Sequence, residues 1–246
     1  MKRTPSKPRI PAGYDPRAFP PVAVTVDMVV LTVVADDLQV LLVERGAEPF
    51  RGRWALPGGF IREDESLDEA ASRELLEETG LNVAPYLEQF RAYGNPGRDP
   101  RMRVVTVVYL AFVPNVGTIT AGTDARRAAL VSVRRALETG TRKKLAFDHR
   151  TLLQDAVEKA RSLLETTSVA TAFVDSPFTL SELRTVYETV WGQPLDPGNF
   201  RRKVLSTPGF VIATGRQARP GAEGGKPPDL YRPGKMTGLN PAFRRP

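Results

Sequence analysis

The sequence predicts an α+β chain in two parts: a mixed-sheet domain over residues 20–150, then a helical unit ending in a short hairpin over 151–246. Three observations predict this. Runs of β-branched residues with strand patterning crowd the first half, around one strongly signalled helix. Helical apolar stripes take over after residue 150. The charge also changes character: residues 196–246 hold ten Lys or Arg against three acids, so the whole net charge of +7 sits there. The first 195 residues balance at 25 basic and 25 acidic groups.

Residues 1–19, opening on MKRTPSKPRIPAG, form a basic stretch expected to be flexible. No uninterrupted apolar segment of signal-peptide form follows. The longest apolar stretch, Val22 to Ala35, is broken by Thr25, Asp27 and Thr32 and is too short and polar to span a membrane. A cytoplasmic protein with no membrane partner is expected. VAVTVDMVVLTVVADDLQVLLVER then reads as a hairpin turning at Asp36-Asp37. A Gly/Pro-punctuated loop, GAEPFRGRWALPGG, leads into an acidic helix. Ser66 and Glu69 form a capping box at its start, and Gly80 is a natural stop. Leu67, Ala70, Ala71 and Leu75 make its buried stripe. LEQFRAYG and RVVTVVYLAFVP are further strands, and a helix is expected near 125–138.

After the boundary, TLLQDAVEKARSLLE carries Leu152, Leu153, Ala156, Val157, Ala160 and Leu163 or Leu164 on one stripe. TLSELRTVYETVWG does the same with Leu180, Leu183, Val186, Tyr187 and Val190, closed by Gly192. In LDPGNFRRKVLSTPGF, Asp196 is a good N-cap and Pro197 suits the first helical turn. GFVIATG and PDLYRP read as two strands around a Gly/Pro-rich loop. Helix, helix, turn, helix, hairpin is the order of a winged helix-turn-helix.

Composition narrows the chemistry. The chain has no Cys and one His, His149, which excludes disulfides, thiolate zinc sites and a Cys nucleophile. Any metal must be a hard cation held by oxygen, Mg²⁺ or Mn²⁺. Glu74, Glu77 and Glu78 lie at i, i+3 and i+4, three carboxylates on one helix face. Such like-charge pairs destabilise an isolated helix by about a few tenths of a kcal/mol each. A bound divalent cation reverses that sign. An arbitrary E-x-x-E-E is ordinarily a solvated face, but here it follows a Pro-Gly-Gly loop and sits in a longer frame. That frame, G-x5-E-x7-R-E-U-x-E-E-x-G-U with U aliphatic, is filled by Gly59, Glu65, Arg73, Glu74, Leu75, Glu77, Glu78, Gly80 and Leu81.

The frame resembles the signature of the Nudix hydrolases, and with LLVERG and GRWALPGG upstream the resemblance covers about residues 20–150. It implies an α/β/α sandwich that cleaves nucleoside diphosphates linked to another moiety. It further implies Glu74, Glu77 and Glu78 as metal ligands, with Glu65 and Arg73 as an orienting pair, all five belonging to the catalytic set. A further carboxylate is expected from a distant loop, with Asp124 and Glu138 as candidates by position. Arg45, Arg53, Gly58 and Gly59 flank or form the entry loop and are candidate phosphate contacts; surface charge on a hairpin is an equal reading of the two arginines. Trp54 reads as a loop or core anchor, and His149 as a structural hydrogen-bonding residue at the domain junction.

In the basic tail, the third helix presents Asn199, Arg201, Arg202 and Lys203 as candidate DNA contacts, with Phe200, Val204 and Leu205 facing the core. Arg216, Arg219, Lys226 and Arg232 belong to the wing and its margin. LAFDHR, FTLSELRTVYE, NFRRKVL and GFV-x3-G, following a Nudix frame, are similar to the Nudix-related transcriptional regulators of NAD metabolism. That resemblance implies a homodimeric repressor of NAD biosynthesis or salvage genes, bound to a double-stranded DNA operator and released by ADP-ribose. Some members with degenerate frames act only as sensors. Because the frame here is complete, a Mg²⁺-dependent ADP-ribose pyrophosphatase is the alternative reading.

Overall fold

The computed structural model describes residues 11–81, 86–114, 116, 125–138, 144–219, 226–235 and 237–245. Of the basic N-terminal stretch, residues 11–19 are described and exposed, and the rest lies outside the described residues. β1 (Ala23–Val34) and β2 (Asp37–Arg45) form the expected hairpin. Its turn sits one residue earlier than the sequence suggests: Ala35 and Asp36 both take left-handed φ values, 50° and 57°. That pair of conformations gives a tight turn whose twist matches the flanking strands.

β3 (Trp54–Ala55) precedes the Pro-Gly-Gly stretch, β4 (Gly58–Phe60) includes its two glycines, and α1 (Leu67–Thr79) follows. The capping box is formed in full, with Ser66 accepting from the Glu69 N–H and Glu69 accepting from the Ser66 N–H. Gly80 closes the helix at φ 76°. β5 (Tyr86–Tyr93) and β6 (Val104–Phe112) complete the central sheet, whose main order is β3-β2-β1-β6-β5. β1 and β6 run parallel and the other pairs antiparallel, so the sheet is mixed, as expected.

Residues 125–138 depart from expectation. They form a strand, β7 (Ala125–Ser132), and only then a five-residue helix, α2 (Val133–Leu137). The Ala- and Arg-rich composition favours a helix locally, but β7 pairs along β2 from Gln39 to Arg45. A free sheet edge overrides propensity here.

Alternation along β1 sends Val26, Met28 and Val30 to one face of the sheet, where they pack on Ala70, Ala71 and Leu75 of α1. Val29 and Leu31 face the opposite side. There they join a core shared with α3 (His149–Thr166), α4 (Leu180–Trp191) and α5 (Pro197–Ser206). The α/β/α layering is thus present, and its outer helix α3 also begins the winged helix. A boundary at residue 150/151 falls in the first turn of α3, and the apolar core runs on across it. All seven apolar positions assigned to the α3 stripe, Leu152 to Leu164, are buried.

Asp196 caps α5 by accepting from the Asn199 N–H, with Pro197 in the first turn. β8 (Val211–Gln217) and β9 (Asp229–Pro233) make the wing hairpin. Phe200 and Val204 of α5 are buried as expected, but Leu205 is 46% exposed. The core position left for a third α5 residue is taken by Phe243 from the C-terminal segment, which packs near Phe200 and Phe210. Among the described residues no helix is long and apolar enough to cross a membrane.

Because α3 is wedged between the sheet and the winged helix, Leu152→Ala is expected to cost about 2–5 kcal/mol, the range for opening a cavity in a packed core. Single-tryptophan versions retaining Trp54 in the sheet or Trp191 in α4 should lose stability together in urea unfolding. Destabilisation confined to one reporter would contradict a shared core.

Candidate ligand cleft and nucleic-acid interface

The carboxylate face of α1 opens on a cleft of about 470 Å³. Glu74, Glu77, Glu78, Arg73, Arg45, Gly58 and Gly59 all line it. The hub is Arg73. Its guanidinium donates to both oxygens of Glu65 at 2.8 and 2.5 Å, to Glu74 at 2.7 Å, to Glu77 at 3.1 Å and to the Phe60 carbonyl at 3.2 Å. The Glu65 partner of Arg73 is therefore in place, and the pair fastens the loop before α1 to its second turn. Its hydrogen bonds to Arg73 hold the Glu65 carboxyl down at about 2.

Gly58 is sterically required, and Gly59 gives room to a carboxylate. Gly58 has φ 153°, and a Cβ there would overlap the Val26 carbonyl. A Cβ on Gly59 would overlap the Glu74 carboxylate. This close approach lets the Gly58 N–H donate to Glu78 Oε2 at 2.9 Å. Burial pushes the Glu78 carboxyl up to about 8, with Glu74 and Asp27 adding repulsion. Burial raises Glu74 as well, although Arg73 opposes it. Glu77 is the outlying member: its side chain is 47% exposed and shared between Arg62 and Arg73. Among the described residues no three acidic or His side chains are gathered into a ready metal-binding cluster.

Arg45 lies at the cleft with its Nε donating to the Pro49 carbonyl at 2.8 Å and its guanidinium 4.8 Å from the Phe147 ring centroid. Arg53 is not brought there. It is exposed, stacked on Phe50, and absent from the cleft lining. Glu138 is exposed at the end of α2 and does not line the cleft, while Asp124 lies outside the described residues. Trp54 is buried, as an anchor should be.

Beside Gly58 the cleft also holds charged groups without a role in the sequence analysis, Asp27 and Arg98. Asp27, in the middle of β1, is 6% exposed and accepts from Thr106 Oγ1 at 2.6 Å. It faces Arg98 at 3.6 Å and His149 Nε2 at 3.5 Å. Arg98 in turn makes a two-pronged pair with Asp148, at 3.0 and 2.8 Å, immediately before α3. His149 Nδ1 accepts from the Leu56 N–H at 2.9 Å, which assigns its proton to Nε2 and bears out a structural role at the junction. Burial lowers its basicity, against the pull of Asp27. Phe147, just upstream, is held at φ 50° between the Arg45 and Arg101 guanidiniums. A left-handed, non-glycine residue at a cleft wall is a strained position that its surroundings must hold. An Asp inside a β-branched run was a readable signal of a buried polar network; Arg98, in a turn, offered none.

The second candidate surface is the winged helix. Asn199, Arg201 and Arg202 on α5 are exposed, as are Arg216, Arg219, Lys226 and Arg232 on the wing. Arg202 donates to Asn199 Oδ1 at 2.7 Å, and Arg201 is 3.8 Å from Asp229. Lys203 differs. It is partly buried, donates to the Ala242 carbonyl at 3.0 Å and lies 4.4 Å from the Phe243 ring centroid.

Comparison with known proteins follows the same division. A NUDIX domain profile matches residues 24–156, and a profile described as the NrtR DNA-binding winged helix domain matches 170–232. The ADPR responsive transcriptional repressor NtrR of Acinetobacter baylyi is 35% identical over 90% of this chain and 86% of its own length. Shewanella oneidensis NrtR, in a crystal structure with a 27mer DNA, superposes with a TM-score of 0.73 at 35% identity, covering 85% of this chain and 93% of that one. The NUDIX domain of the same protein, in a cocrystal structure with ADP ribose, gives a TM-score of 0.55 at 39% identity, covering 61% of this chain and 95% of that one. The chain belongs to the NrtR family, in which a Nudix domain and a winged helix DNA-binding domain share one polypeptide.

Proposed function

We propose that this protein is a transcriptional repressor that binds double-stranded DNA through its winged helix and is released when ADP-ribose occupies the Nudix cleft. The observation that carries the reading is the shared helix α3. Its first residue, His149, lines the cleft, and its buried stripe belongs to the core of the DNA-binding unit. The cleft therefore borders the element on which α4 is packed, and α4 in turn carries α5. A ligand shifts such an equilibrium only through unequal affinity for the two states. Operator contacts are assigned to Asn199, Arg201 and Arg202, with backbone contacts from Arg216, Arg219, Lys226 and Arg232. The active form is read as a homodimer acting on genes of NAD biosynthesis or salvage, as the family resemblance implies.

Cleavage of the effector is a second reading, favoured by the complete carboxylate frame. The donor chemistry fits a hard divalent cation: the Glu74 carboxylate lies against Gly59, the Gly58 N–H donates to Glu78, and burial makes the charge of both costly without a cation. Glu74 and Glu78 would hold it, with Glu77 at the rim. When bound, such a cation, Mg²⁺ or Mn²⁺, neutralises charge on the diphosphate. Arg73 keeps Glu74 and Glu77 oriented, and Arg45 and Gly59 in the cleft lining are assigned to the phosphates.

Two outcomes are expected. In a mobility shift with DNA from the gene's own upstream region, saturating ADP-ribose should lower affinity at least tenfold, an allosteric coupling of ordinary size, about 1–3 kcal/mol; unchanged binding would refute the repressor-and-effector reading. The second concerns Glu78. In the folded chain its carboxyl titrates near 8, against an ordinary 4.5. Between those values the folded state binds more protons, so the parent loses stability as pH rises. In chelator, Glu78→Gln should therefore melt above the parent at pH 9, with the gap closing toward pH 5. A gap independent of pH would show that Glu78 is not held neutral by burial.

A further inference from the structure

The C-terminal segment does not hang free of the winged helix. The Leu239 N–H donates to the Thr166 carbonyl and the Phe243 N–H to the Glu165 carbonyl, both at 2.7 Å, while Thr237 accepts from the Ser168 N–H. Arg245 pairs with Glu165 and, at 2.8 Å, with Glu158. Residues 237–245 are thus strapped along the end of α3. The side chain of Phe243 turns inward and is 3% exposed, with Tyr187 and Phe210 each 5.5 Å away between ring centroids. From this strap the Ala242 carbonyl and the Phe243 ring take hold of Lys203, one hydrogen bond and one cation–π contact on the same ammonium. The strap lies beyond residue 232, where the matched winged-helix profile ends.

We propose that the strap is a working part of the DNA-reading unit: it clamps α5 through Lys203, which is a positioning residue and not a DNA phosphate contact. This rests on reading the chain as a DNA-binding protein. The α5 side chains that face solvent for DNA are then Asn199, Arg201 and Arg202. The clamp joins α5 to α3, the same helix whose first turn lines the ligand cleft, so the reading face and the cleft are tied to the two ends of one rigid element.

The test uses the full chain and measures affinity for the upstream DNA over a series of salt concentrations. Lys203→Met and Phe243→Ala should each weaken binding roughly tenfold, the scale of one lost cation–π and charge-assisted contact. The slope of log affinity against log salt should stay that of the parent in both. The double change should cost less than the sum of the two single changes, since they share the contact between Lys203 and the Phe243 ring, and Lys203→Arg should restore affinity. A slope reduced by about 0.9 in Lys203→Met, with Phe243→Ala binding normally, would make Lys203 a phosphate contact and overturn the proposal. Lys203→Met removes no core side chain, so it remains informative if Phe243→Ala fails to fold. Amide hydrogen exchange over 197–207 is read in parallel without DNA. It should quicken in Lys203→Met, and unchanged exchange there would refute the clamp even if the parent bound no DNA and the repressor reading itself had failed.

Discussion

The burial of the α3 stripe is the constraint on which the rest of the molecule depends. Leu152, Leu153, Ala156, Val157, Ala160, Leu163 and Leu164 are all removed from water, part of them under the sheet and part under the winged helix. An eighteen-residue helix buried in one core that joins the sheet to the winged helix cannot shift against either without disturbing the other. Packed interiors move between discrete arrangements instead of deforming smoothly, which makes such a helix suited to connecting a ligand site with a DNA-reading surface.

The electrostatics of the cleft reinforce that link. On one side Arg73 gathers Glu65, Glu74 and Glu77 into a fixed array. Elsewhere in the lining, Arg98 lies between Asp27 and Asp148 and so ties the middle of β1 to the start of α3. His149 fastens that start to the loop before Gly58 through the Leu56 N–H. The cleft lining thus carries acidic and basic groups already paired with one another, some of which also hold the start of α3.

What was legible in the sequence was mostly local. The Ser66–Glu69 capping box, the Gly80 stop and the Asp196–Pro197 helix start each depend on a few neighbouring residues, and all formed as read. The carboxylate spacing placed Glu74, Glu77 and Glu78 on the cleft side of α1, but it could not show that Glu77 would be drawn to the rim by Arg62 and Arg73. β7 was hidden because its strand character comes from the edge of β2, far away in sequence. Leu205 was misjudged, and the contacts of Lys203 were not foreseen, for one shared reason: the segment around Phe243 returns to α5, filling the core beside it and engaging the lysine. Arg53 flanks the same loop as Arg45, yet stacks on Phe50 outside the cleft. Contacts made by chain return have no signature in a sequence window.

The central claim is that the cleft and the DNA-reading face share one equilibrium, and linkage makes it directly measurable. Titrating ADP-ribose calorimetrically into the free protein and into the protein–DNA complex should give a weaker affinity for the complex. The ratio should equal the factor by which ADP-ribose weakens DNA binding, because coupling between two sites is reciprocal. Equal ADP-ribose affinity with and without bound DNA would contradict the account.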